Sequence, residues 1–152
     1  MMQMICKPAM RRLVPAQGRF FAVTLSAASK DQLMGSSDSK MVADYLTAAV
    51  AAGDSDHTAA LNEYFRKNFR KLSSDQALDV LKAISAQEPA PQILDGQFWV
   101  WESLEEAVRG TVDEMSAEDY KTTLSAFSRN YKGSDEFCTE LEERYYRETS
   151  EV

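Results

Sequence analysis

The sequence predicts an all-α fold of about six helices arranged as stacked helical hairpins, a short α-solenoid-like bundle behind an extended N-terminal segment. Three observations predict it. Apolar residues recur at three- and four-residue spacing through most of residues 39–148, the period of an amphipathic helix. Apolar–polar alternation never runs beyond four or five residues with turn signals on both sides, as a strand would require. A helix–turn–helix block also recurs at a fixed offset.

Each element has its own signals. Past the linker GSSDSK at residues 35–40, a first helix is expected from about Ser39 to Ala52, with Met41, Tyr45, Leu46 and Val50 on one face and Gly53 as its stop. A second is expected from about Ser55 to Lys71, carrying Leu61, Tyr64, Phe65 and Phe69. Ser73 or Ser74 caps a third, in which Leu78, Leu81 and Ile84 recur. The segment AQEPAPQILDG then breaks the helical pattern, because its prolines and glycine do not fit a helix interior. A fourth helix follows from about Gln97 to Glu114. The fifth begins at Ser116, with Asp119 at capping-box spacing, carries Tyr120, Leu124, Phe127 and Tyr131, and ends near Gly133. The sixth, about Ser134 to Glu148, places Phe137, Leu141 and Tyr145 on one stripe.

Residues 61–85 align without gaps on residues 104–128, an offset of 43, with seven of 25 positions identical: Leu61/Leu104, Glu63/Glu106, Arg66/Arg109, Ser73/Ser116, Leu81/Leu124, Ala83/Ala126 and Ser85/Ser128. The match spans one helix, the turn with its Ser cap, and the next helix. LEERY at 141–145 echoes LEEAV at 104–108 and suggests a third, truncated unit. A fixed period covering a helix pair is the signature of stacked helical hairpins. The shared pattern [LM]S-x-[DE]…L-x-A-[IF]-S, with a following LEE, resembles the degenerate helical-hairpin repeats of mitochondrial helical-repeat proteins, the heptatricopeptide-type arrays of FAST-kinase and RAP-domain relatives. The resemblance covers roughly residues 55–148 and implies a scaffold geometry. It departs from those arrays in charge, since these units are acidic and no RAP-like C-terminal domain follows, which puts the RNA contact of the arrays in doubt here.

The net charge of −7 conceals an asymmetry. Residues 1–30 hold Lys7, Arg11, Arg12, Arg19 and Lys30 and no carboxylate, whereas all 24 acidic residues lie from Asp31 onward. The chain therefore divides into a basic targeting or extended segment, 1–38, and an acidic helical repeat domain, 39–152. An acid-free, basic, Ser- and Ala-containing N-terminus has the composition of a mitochondrial transit peptide. Arg19-Phe20-Phe21-Ala22-Val23-Thr24 is similar to the two-step presequence pattern, which implies processing after Phe20 or Phe21 and again near Ser29. Retained, this segment would contact neighbouring subunits or anionic lipid headgroups. The acidic domain repels phosphate backbones, so nucleic acid is a poor partner, and no apolar run is long enough to span a membrane. Cys6 and Cys138 fall in no paired motif, and reduced thiols are expected.

No catalytic, metal or cofactor constellation is found. His57, the lone histidine, sits in GDSDHTAA beside Asp54 and Asp56, which read as helix N-terminal carboxylates. The same stretch fails as a calcium loop, since Ala59 and Phe65 stand where the glycine and the bidentate glutamate belong. Cys138 lies among carboxylates that disfavour a thiolate. Glu102, Glu105 and Glu106, like Glu140, Glu142 and Glu143, follow helix-surface spacing. Walker, Rossmann and HExxH motifs do not occur.

FWVW, residues 98–101, is the most unusual cluster. Trp99 and Trp101 point about 200° apart on a helix. Either one enters the core while another faces a partner, or the helix is covered on both sides. Phe98, Trp99 and Trp101, with Tyr145 and Tyr146 of RYYR and the N-terminal Arg11, Arg12 and Arg19, are the candidate interface residues. The expectation is a non-catalytic accessory subunit on the matrix side of the mitochondrial inner membrane, in a respiratory-chain complex or ATP synthase, packing on other protein subunits. The alternative is an accessory protein of the mitochondrial ribosome or RNA processing.

Overall fold

The computed structural model describes residues 24–150, and every regular element among them is helical. Seven α-helices follow one another: α1 (Ala27–Met34), α2 (Ser39–Ala52), α3 (Ser55–Lys67), α4 (Ser74–Ser85), α5 (Phe98–Arg109), α6 (Ala117–Arg129) and α7 (Asp135–Ser150). They stack in two layers. In one, α1 packs on α3 and α3 on α5; in the other, α2 packs on α4 and α4 on α6. The last helix, α7, rests chiefly on α6.

The helices begin where a side chain can satisfy the orphan amides of the first turn. Asp38 and Asp54 accept from the backbone at the starts of α2 and α3, and Ser73 and Ser116 cap α4 and α6. Gly53 ends α2 in the left-handed region at φ +62°, a conformation that costs glycine nothing.

The sequence repeat coincides with the structural one. Shifting Ser55 and Ser74 by 43 residues reaches Phe98 and Ala117, the first residues of α5 and α6. Five of the six buried residues of α3 (His57, Thr58, Ala60, Leu61 and Phe65) shift likewise onto buried Val100, Trp101, Ser103, Leu104 and Val108 of α5, and the sixth, Tyr64, onto half-buried Ala107. Equivalent positions thus do equivalent packing in successive hairpins. One continuous core results, with Tyr45, Leu61, Phe65, Leu81, Leu104, Phe127 and Leu141 fully buried.

The sequence expectation differs from the structure at four places. The basic N-terminal segment, expected to be extended to residue 38, contains α1, in which Ser26 and Ser29 form a reciprocal capping box and Leu33 is buried. The second expected helix stops at Lys67 rather than Lys71. Asn68 turns its side-chain amide onto the Tyr64 carbonyl at 2.8 Å, offering the backbone an alternative to the next helical bond. The fourth stops at Arg109 rather than Glu114, because Gly110 and Thr111 propagate a helix poorly. The chain re-forms as a 3₁₀ turn over Val112–Glu114. Finally, Tyr131 does not continue the face of α6 but stands beyond its end, 95% exposed.

Candidate functional site

Among the described residues, a concavity lies between α5 and the α6–α7 connection. A cleft of about 390 Å³ opens there, bounded by the Asp95–Gly96 turn, the first turns of α5 and the α6–α7 connection. Phe98, Trp101, Glu102, Glu105 and Arg109 line it from α5; Lys132, Gly133 and Ser134 line it from the connection.

Its floor is built by aromatics. Trp101 is buried and donates its indole Nε1–H to the Leu94 carbonyl at 2.9 Å. Its ring meets Phe127 at 5.6 Å between centroids, and Phe127 meets Phe137 edge-on at 5.3 Å. Trp99 faces the other way, half-buried against Phe69 at 5.5 Å. Its backbone N–H donates to Asn62 Oδ1 of α3 at 2.7 Å, so a neighbouring helix caps α5 where Gln97 does not. Phe98, the first residue of the helix, is 59% exposed.

One wall is polar. Glu105 binds Arg109 one turn on and accepts from Ser134 Oγ at 3.0 Å and from Ser134 N at 3.3 Å. Ser134 Oγ in turn accepts from Phe137 N at 3.2 Å. A carboxylate of α5 thus completes the N-terminus of α7, where negative charge is favoured. Lys132 Nζ donates to the Asp95 carbonyl at 2.9 Å and closes the floor of the turn. Cys138 lies behind this wall, and burial, then the charges of Glu105, Asp135 and Glu142, push its thiol above the ordinary range.

Tyr131 immediately precedes Lys132 but is not among the residues that line the cleft. Its φ of +57° is left-handed, and Lys132 N donates to Phe127 O at 2.8 Å, the closure of a Schellman turn that favours glycine.

Of the sequence-predicted interface residues, the cleft gathers Phe98 and Trp101. Trp99 is turned away. Tyr145 is half-buried and Tyr146 is 62% exposed, roughly 18 Å farther along α7 at the helical rise. Arg11, Arg12 and Arg19 lie outside the described residues. Sequence reasoning missed Tyr131 and Lys132, although Asn-Tyr-Lys-Gly at a helix end signals a Schellman turn with a bulky side chain in the glycine position. It also placed Glu105 on a solvated face, whereas its side chain is only 12% exposed.

A separate polar cluster joins α2 to α3. The Tyr45 hydroxyl bonds His57 Nδ1, and His57 Nε2 lies 4.0 Å from Asp54. Both rings are buried, and of the three side chains only the Asp54 carboxylate is substantially exposed. Among the described residues no group of three or more His, Cys, Asp or Glu side chains is placed to hold a metal ion, and no helix is long and apolar enough to cross a membrane.

No protein-family model matches the chain, and neither a characterised protein nor a solved structure is significantly similar to it.

Proposed function

We propose that the chain is a non-catalytic accessory subunit of a large mitochondrial assembly, an energy-converting complex of the inner membrane such as a respiratory-chain complex or ATP synthase. It acts by packing against other protein subunits. The observation that carries this reading is a pair of exposed rings: Phe98 at the cleft, 59% exposed, and Tyr131 beyond the end of α6, 95% exposed. Aromatic side chains beside a well-packed floor are the usual anchors of protein interfaces. The two-layer stack supports the reading by holding such anchors on a rigid frame. The mitochondrial address is supported by the composition of residues 1–30, which carry five cations and no carboxylate.

Native electrophoresis of a mild-detergent extract from cells expressing the tagged full chain tests it. The expected result is co-migration with a particle many times the 17.1 kDa of the chain, in the mitochondrial fraction. Migration as a free monomer, or a cytosolic location, would contradict it.

A further inference from the structure

Taking the subunit reading as its basis, we infer that the cleft between α5 and the α6–α7 connection receives an arginine- or lysine-bearing segment of a different protein. The cationic side chain sits between the Glu102 carboxylate and the ring of Phe98, one turn apart on α5.

Charge points to a cation. The cleft carries two cationic side chains against the three carboxylates of Asp95, Glu102 and Glu105: Arg109 binds Glu105, while Lys132 donates to the neutral Asp95 carbonyl and keeps its charge. The carboxylates of Asp95 and Glu102 take part in no ion pair among the described residues, and both residues are exposed. Asp135 and Glu136, in the first turn of α7, add negative charge beside Ser134. An incoming phosphate or carboxylate would meet these groups unshielded, whereas a guanidinium or ammonium would complete them.

Shape and aromaticity narrow the occupant. At about 390 Å³ the cleft is near the lower end of ligand-pocket sizes, room for side chains of one segment rather than for a whole domain. Ring faces flanking a carboxylate suit a cation with an apolar stem, because the ring quadrupole attracts the charge and the stem covers the ring.

Two measurements test the inference. The first uses the full chain with Trp99→Phe, which leaves Trp101 on the cleft floor as the only tryptophan of the two in the sequence. Hexa-arginine is titrated while Trp101 emission is read, with hexa-glutamate as the control. Saturable quenching by hexa-arginine alone is expected. Glu102→Gln should weaken it about fivefold or more, the scale of one charge-assisted contact. Phe98→Ser should also weaken it while leaving the melting temperature within a few degrees, which separates lost contact from lost structure. Glu142→Gln, an equal charge change on a different helix, α7, should leave it within about twofold. Equal losses from Glu102→Gln and Glu142→Gln, or no loss from Glu102→Gln, would overturn the inference.

The second places a photo-reactive benzoylphenylalanine at position 98 of the tagged chain in cells and identifies the captured peptide. A segment of another protein with Lys or Arg within a few residues of the cross-link is expected. Capture of a second copy of this chain, of a segment without cations, or of nothing while the chain still co-migrates with its assembly would overturn the cleft assignment and leave the subunit reading standing. If the chain runs as a monomer, the subunit reading falls, and the hexa-arginine titration alone decides the chemistry of the cleft.

Discussion

At the scale of single residues, Tyr131 and Cys138 bracket the α6–α7 connection and behave in opposite ways. Tyr131 holds φ +57° with its side chain almost wholly in solvent, so removing the Cβ relieves backbone cost and forfeits little packing. Tyr131→Gly should therefore raise the unfolding free energy by about 1 kcal/mol, seen as a higher denaturation midpoint at unchanged slope; a lower midpoint would show that the ring packs within the chain. Cys138 has its thiol pushed up by burial and by Glu105, Asp135 and Glu142, so the reactive thiolate is scarce at neutral pH. Alkylation at Cys138, followed by peptide mapping, should run well below the rate of a free cysteine at pH 7 and climb as pH rises above the ordinary thiol range. A rate at pH 7 equal to that of free cysteine would contradict the burial argument.

At the scale of elements, what the sequence disclosed depended on whether one residue type carried the signal. The bounds of α2, Ser39–Ala52, were legible because Asp38 and Gly53 punctuate an amphipathic run. The α1 helix was not, since its capping box uses Ser29 where the pattern expects Glu or Gln, and its only fully buried apolar residue is Leu33. The end of α5 was hidden because Val112 keeps the apolar phase while Gly110 breaks the backbone. Phe98 and Trp101 stood out in FWVW, but their division between rim and floor depends on the α6–α7 connection, which is distant in sequence. Gly133 lies in that connection. It sits at φ +87°, and a Cβ there would meet Cys138 Sγ at 3.1 Å and the Phe127 ring at 3.2 Å. Gly133→Ala should destabilise by roughly 1–3 kcal/mol from left-handed strain and overpacking. A change under a few tenths of a kcal/mol would mean that the connection yields freely.

For the whole molecule, the two-layer stack makes stability a matter of interfaces between successive hairpins. Two tyrosines at the junction of the first hairpins report on it. Tyr45 and Tyr64 are held neutral above their usual range, Tyr45 by burial and then by the charge of Asp54, Tyr64 by burial. For a group whose folded pKa is raised, the stabilisation is fully present below the unfolded value of about 10 and is lost as pH rises through the folded one. Unfolding free energy should accordingly fall above about pH 10. Tyr45→Phe should flatten part of that fall while lowering stability at neutral pH by about 1 kcal/mol through the lost bond to His57. An alkaline profile identical in the two proteins would remove Tyr45 from the account.

The same architecture explains why the molecule has an open site at one end. Were α7 stacked on α5 as α5 is on α3, the cleft would be filled by the chain itself. Because α7 rests on α6 instead, Phe98 and Glu102 stay exposed among the described residues, as the proposed contact with another protein requires. The most direct test of that claim is mass spectrometry of native assemblies captured through the full chain from detergent-solubilised mitochondria, comparing wild type with Phe98→Ser/Glu102→Lys after both are shown to melt at similar temperature. Respiratory-chain or ATP synthase subunits should co-purify with the wild type and be lost or strongly reduced with the double variant. Equal recovery by both chains, capture of ribosomal proteins with RNA, or a wild-type chain without partners would contradict it.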